Sequence, residues 1–299
     1  MTLQTLPIIC AGPNLPTALE NDWHARLTLA FEQRQQAKTV LVTRKHEGPL
    51  LVQKALYPEG PQVCHVAILH PPSGIAGGDV LTIDIKVDSG AHALLTTPGA
   101  SRWYKANGRH ASQTVTIHLA ANARLDWLPQ ENIFFEQVNA TVATHIHMQT
   151  GACTIGWEVT QLGSIAKTNH WDEGLVLLNT HLTLDQRPLW LDAGELCATG
   201  PIRNSVNGLD GFPVLATLWG FGPSLTPDQT DALAQTLPWN DTLRAGLTYM
   251  PQPNEQGLSL IRVLGQHTED VKQLLIAFWQ ELRPRLLQTD GRPLRVWNT

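Results

Sequence analysis

The sequence predicts a mainly β fold with two α-helices added in its last third. Three observations carry that expectation. Apolar residues alternate with period two along the first part of the chain, Gly and Pro punctuate the gaps, and the spacing turns helical near the end. Of the 299 residues, 42% are hydrophobic and 16% charged, which supplies a core and argues against a disordered chain. A rule of about 150 residues per domain would split the chain, but β-rich chains of about 250 residues often form one domain. No repeat or flexible linker separates two units. The expected organisation is one domain, 1–299, with a poorly structured segment over 1–20, a β-rich part over 22–202 and a mixed part over 203–299.

The elements follow in order. Trp23, Ala25, Leu27, Leu29 and Phe31 alternate with His24, Arg26, Thr28 and Glu32, as in a strand with one buried face. Leu81, Ile83, Ile85 and Val87 repeat the pattern against Thr82, Asp84, Lys86 and Asp88. Val115, Ile117 and Leu119 repeat it again against Thr114, Thr116 and His118. Further β-like stretches run over 40–42, 63–69, 125–128, 142–148, 154–162, 175–184, 189–196 and 258–264. No convincing helix falls between Asp22 and Ile202. Thr226-Pro227-Asp228 reads as an N-cap with proline at N1, opening a helix that stops near Leu237-Pro238. Thr268 is the expected cap of a longer helix, with Glu269 and Asp270 in its first turn. Val271, Leu274, Leu275, Phe278 and Leu282 form its apolar stripe, and Pro284 is expected to kink or end it.

Charge and cysteines exclude several classes. The net charge is −5, and the 21 Lys and Arg form no basic run, so the concentrated positive charge that nucleic acids require is missing. Cys10, Cys64, Cys153 and Cys197 are far apart without a CxxC pair. An even count permits two disulfides, but a chain of this size needs none, and a reduced, cytoplasmic protein is expected. Leu6 to Cys10 lacks the basic start and the small residue before cysteine of a lipoprotein signal. No stretch approaches the roughly 18 apolar residues of a membrane span.

The most unusual segment is His70-Pro71-Pro72-Ser73-Gly74-Ile75-Ala76-Gly77-Gly78-Asp79, a rigid entry followed by glycines between two strands. It lacks the endings of phosphate-binding and dinucleotide-binding loops. It reads either as a tight connection or as a constrained turn for docking or ion handling. Among the 12 His, Cys64 and His70 share a strand face but lie about 20 Å apart if extended, too far to hold one ion. His145 and His147 lie about 7 Å apart on one face and could chelate an ion jointly. Their neighbours Ile146 and Met148 take the other face, so the pair is expected to face water. No zinc-finger spacing, HExxH or GxSxG elbow occurs. Glu59, Asp79, Glu158 and Asp192 sit at the ends of, or inside, apolar β-like stretches, where a charge must be paired, hydrated or metal-bound. As a set they suit a hard or borderline divalent ion moving between weak oxygen sites.

The same segments resemble a known family, the urease accessory proteins called UreD (UreH in some organisms). Residues 70–79 resemble the family's HPPGGIVGGD signature, and Thr97-Pro98-Gly99-Ala100-Ser101-Arg102-Trp103-Tyr104 resembles its TPGASKFY-like segment. Leu125-Asp126-Trp127-Leu128-Pro129-Gln130-Glu131 with Ile133-Phe134-Phe135 resembles LEWLPQExIFF. Trp279 to Pro284 and Arg295 to Thr299 resemble WQxLRP and the terminal RIWxT. The order is kept from Trp23 to Thr299. Ser73 stands where the family usually has glycine, and Ser164, Thr168 and Asn169 depart from an Arg and Gly-Glu pattern.

The resemblance implies a β-helix-like stack of strands and a non-catalytic scaffold. Such a scaffold binds apo-urease with UreF and the GTPase UreG, holds no permanent cofactor, and assists nickel delivery through an internal route. A conduit must release its ion, so spaced carboxylates and water suit it better than a closed site. Glu59, Asp79, Glu158 and Asp192, with His70, are the expected metal path. His70, Pro71, Pro72, Gly74, Gly77 and Gly78 are the expected docking element. A β-rich carbohydrate- or ligand-binding module using exposed Trp is the alternative, and a carboxylate-pair hydrolase is a more distant one.

Overall fold

A computed structural model describes residues 23–164 and 169–298. The segment 1–20, Cys10 and Thr168 therefore lie outside the described residues. β1 (Trp23–Gln33) and β2 (Thr39–Glu47) form an antiparallel pair in one sheet. β3 (Leu51–Val52) and β4 (Val63–Leu69) begin a second. The chain then winds between the two. β5 (Asp79–Val87) joins the first sheet, β6 (His92–Thr96) the second, and β7 (Ser101–Trp103) closes the coil at the side. β8 (Ala111–Leu119), β9 (Arg124–Leu128) and β10 (Asn132–Phe134) repeat the circuit. β11 (Val138–Met148), β12 (Cys153–Leu162), β13 (Gly174–Leu184) and β14 (Arg187–Cys197) follow.

This winding makes neighbours parallel, so the architecture is a β-helix-like stack. The first sheet has seven strands in the order β14-β13-β11-β8-β5-β1-β2. Parallel register stacks Leu29, Ile85, Ile117, Ile146 and Leu182 into one buried aliphatic ladder. Each such side chain removed from water contributes about 1.5–3 kcal/mol. On the facing sheet, Cys64, Ala93, Leu125 and Thr154 form the matching row.

The last third adds β15 (Val214–Pro223), α1 (Pro227–Gln235), β16 (Leu243–Gln252), β17 (Gln256–Gly265) and α2 (Thr268–Leu287). These strands extend the second sheet antiparallel, and α2 covers its outer side. The second sheet is thus apolar on both faces, one packing on the first sheet and one on α2 through Val271, Leu275, Phe278 and Leu282. Thr226 caps α1 in a capping box with Gln229, as its sequence predicts. The cap of α2 is corrected: His267 occupies it, while Thr268 sits in the first turn and donates its hydroxyl to Gln161 Oε1. Pro284 does not end α2, which runs on to Leu287 with the buried Leu286 and Leu287 anchoring its last turn. Cys64, Cys153 and Cys197 form no disulfide.

One ion cluster ties α2 to the sheet. Arg283 is 0% exposed. Its guanidinium donates Nη1 and Nη2 to the two oxygens of Glu59 at 2.7 and 2.8 Å, a bidentate pair. It also donates Nε to Asp126 Oδ1 at 3.0 Å. Asp126 accepts from Trp279 Nε1 at 2.8 Å and pairs with His92 Nε2 at 2.8 Å, while Glu59 pairs with His65 Nε2 at 2.9 Å. Burial alone would raise the Glu59 pKa. The hydrogen bonds and charges of His65 and Arg283 outweigh it and bring the value to about 2.

Two expectations follow. Arg283→Met leaves two buried carboxylates without their guanidinium, with only His65, His92 and Trp279 as partners, and should cost roughly 3–5 kcal/mol in urea unfolding. Because the folded pKa of Glu59 is depressed, its stabilisation is complete above the unfolded carboxylate value of about 4.3 and is lost as pH falls toward 2. Acid titration of stability should therefore be steepest in that window, and Glu59→Gln should flatten it.

Candidate functional site

The turn from β4 to β5 is shaped by its neighbours. Ile75 is buried and exchanges backbone hydrogen bonds with Arg102 and Tyr104, at 2.7 and 2.8 Å. A Cβ at Gly77 would lie 1.9 Å from the carbonyl oxygen of Ala106, which excludes a side chain, and one at Gly74 would lie 2.0 Å from the Tyr104 ring, which would have to move. Ser73 adopts φ 62°, a left-handed conformation that explains why glycine suits this place. Pro71, Pro72 and Ser73 remain exposed.

Behind the turn, a cavity of about 460 Å³ lies between the two sheets. His70, Pro71 and Ser73 line it from the turn, Thr97 to Arg102 from the approach to β7, and Trp127, Pro129, Gln130 and Asn132 from β9 and β10. Three of the sequence segments that stand out along the chain thus converge on one space. His70 Nε2 is buried without a hydrogen-bond partner. Burial pushes its pKa below the ordinary histidine value despite the opposing charge of Asp79, so the ring is neutral at neutral pH.

A second cavity, of about 500 Å³, opens among β12, β13, β14 and β17. Glu158 lines both. Its parity on β12 sets it on the inter-sheet side, since Trp157 and Val159 pack toward α2. Thr180 of the second cavity donates its hydroxyl to Glu158 Oε2 at 2.9 Å, and Thr144 of the first is also hydrogen-bonded to the carboxylate. Burial, reinforced by the negative charge of Asp192, raises the Glu158 pKa above the usual range against the pull of both hydroxyls. A carboxylate held by hydroxyls rather than by a cation remains open to an incoming one.

The other expected residues lie elsewhere. Asp192 borders the second cavity and pairs with Arg262 at 2.9 Å. Asp79 closes its own turn, accepting from the Ala76 N–H at 2.7 Å, and lines neither cavity. Glu59 belongs to the Arg283 cluster and also lines neither. His145 and His147 lie on the outer face of the first sheet. The structure brings together His70, Glu158 and, at the far side, Asp192. The sequence did not single out Thr144 and Thr180, ordinary strand threonines, or the roles of Arg283, Asp126, His65 and His92. Asp126 did carry a signal, a charge inside the apolar run Leu125 to Leu128.

The fold is a β-solenoid-like stack of strands with two cavities that share Glu158 in their walls. Residues 24–298 match the family model described as UreD urease accessory protein. The chain is 52% identical over 279 residues to the urease accessory protein UreD of Bordetella pertussis, covering 93% of this chain and 98% of that one. It is 47% identical over 279 residues to that of Ralstonia nicotianae, covering 93% and 94%. It is 46% identical over 289 residues to that of Cupriavidus necator, covering 96% and 99%. The chain belongs to the UreD family of urease accessory proteins, which supports a role in urease maturation.

The raised Glu158 pKa sets a sign. Its contribution to stability is complete below the unfolded carboxylate value and is lost as pH rises through the folded one. Glu158→Gln cannot ionise, so its melting temperature should exceed that of the unaltered protein at pH 8 and match it near pH 4. Separately, Ser73→Gly should stabilise by roughly 0.5–1 kcal/mol by removing a left-handed serine, read by denaturant unfolding.

Proposed function

We propose that this chain is a non-catalytic scaffold that binds apo-urease together with UreF and UreG in the cytoplasm and passes nickel toward the urease active site through its interior. The single observation that carries this reading is Glu158, one carboxylate in the wall of both cavities. His70 offers a neutral imidazole on one side and Asp192 a carboxylate on the other. Imidazole and oxygen ligands suit a borderline ion such as nickel. A few separated ligands hold it weakly enough to release, which a closed thiolate site would not.

The exposed Pro71-Pro72-Ser73 tip at the mouth of the first cavity serves as the docking element, with His70, Gly74, Gly77 and Gly78 fixing its shape. Asp79 acts on this route by closing that turn. Glu59 acts by fixing α2 through Arg283. A sugar-stacking module would need several exposed rings, whereas Trp103, Trp127, Trp157, Trp171, Trp219 and Trp279 are buried, and of the exposed Trp23 and Trp239 the second already carries the Arg244 guanidinium over its ring.

In cells carrying Glu158→Ala or His70→Ala, the nickel content and activity of urease should fall several-fold, and with Glu158→Ala urease should still co-purify with this chain. Nickel-replete urease in both variants would contradict the route. Shortening the 70–79 turn should abolish co-purification with urease or UreF, and an intact complex would contradict its docking role.

A further inference from the structure

The outer face of the seven-stranded sheet carries four histidines in two adjacent rows. Ile146 and Met148 of β11 fill the core, so His145 and His147 stand on the opposite side of that strand. Parallel register sets His181 of β13 beside His145, and His118 of β8 beside His147. The rings meet accordingly. His118 and His147 are stacked with centroids 5.0 Å apart and planes 24° apart, and His145 and His181 meet edge to face at 6.2 Å.

The surroundings leave these rings available. The histidine–carboxylate pairs among the described residues fall elsewhere, at His65, His92 and His170. Lys86, next to His118 in register, is drawn to Asp88 at 2.9 Å. Asp84 is held by Arg26, and Asp185 accepts from the backbone N–H and hydroxyl of Thr150. His147 Nδ1 shares a hydrogen bond with Thr183 Oγ1 at 3.0 Å. With Nδ1–H as the donor, Nε2 carries the lone pair, the usual way an outer partner fixes a ligating imidazole. An open hollow beside this row is lined by His118, His147 and Thr183, together with the paired Lys86 and Asp185. Burial lowers the pKa of His145 and of His147, and mutual repulsion among the rings lowers both further, which favours neutral imidazoles.

Clustered neutral imidazoles without thiolate or carboxylate suit borderline divalent ions of the first transition row over magnesium or calcium. We propose that this face is a surface binding site for such cations, with His118 and His147 as one chelating pair and His145 and His181 as the other. The site does not rest on the interior route, because His145 lies on the opposite side of β11 from Thr144.

The test is equilibrium dialysis of the purified full chain against nickel chloride, zinc chloride or magnesium chloride. Nickel and zinc should bind and magnesium should not. His118→Ala with His147→Ala should weaken nickel binding at least as much as loss of an outer partner does, roughly 10–100-fold. Replacing all four histidines by alanine should remove the outer sites, while Glu158→Gln and the exposed control His46→Ala should retain them. Melting temperatures close to that of the unaltered chain would show that these surface changes leave the fold intact. A four-alanine variant that binds nickel with unchanged stoichiometry and affinity would overturn the proposal, as would an unaltered chain whose nickel binding is lost entirely in Glu158→Gln.

Discussion

The buried guanidinium of Arg283 is the constraint on which the rest of the molecule depends. It joins a turn before β4, a strand in the middle of the second sheet and the last turn of α2 through Glu59, Asp126 and Trp279. Removing these charges from water is expensive, and the cluster persists because each carboxylate oxygen finds a donor. A well-packed apolar substitute could match its stability. What the ion cluster adds is direction: a bidentate fork fits Glu59 in one orientation, so it fixes where α2 lies on the sheet. With α2 in place, the second sheet is covered on both faces, and the space between the sheets is left to define the site.

That space explains why residues distant along the chain act together. Successive coils of the stack bring each segment beside the next, so Asn132 of β10 lies in register with Ser101 of β7, and Ile75 bridges to Trp103. The turn at 70–79 and the segments near 97–104 and 125–135 therefore meet in one cavity. Glu158 stands where that cavity meets the second. There, one carboxylate is kept at a raised pKa by burial and steadied by two hydroxyls.

Much of the fold was legible in the sequence, for a reason that also marks where legibility ends. Strands of the first sheet have one core face, so β1 and β5 alternate cleanly. β12 is buried along nearly its whole length although Thr154, Glu158, Thr160 and Gln161 interrupt its apolar residues, so it is visible as a strand but not as one covered on both faces. β15 and β16 contain Gly and Pro and escaped notice beside the helices. The coils differ in length, as the partners Val63 with His92, His92 with Arg124 and Arg124 with Cys153 show, so no fixed repeat was apparent. The four carboxylates were recognisable as charges in apolar surroundings. Their different situations, an ion cluster for Glu59, a turn for Asp79, two cavities for Glu158 and a surface pair for Asp192, depend on contacts across coils that no local pattern encodes.

The central claim is that nickel enters the interior of this chain and meets Glu158 there. Anomalous diffraction at the nickel edge, from crystals of the full chain soaked in nickel chloride, tests it most directly. The account predicts a nickel peak beside the Glu158 carboxylate, between Thr144 and Thr180. Nickel ordered at the outer histidines alone, with the space around Glu158 left empty, would contradict it.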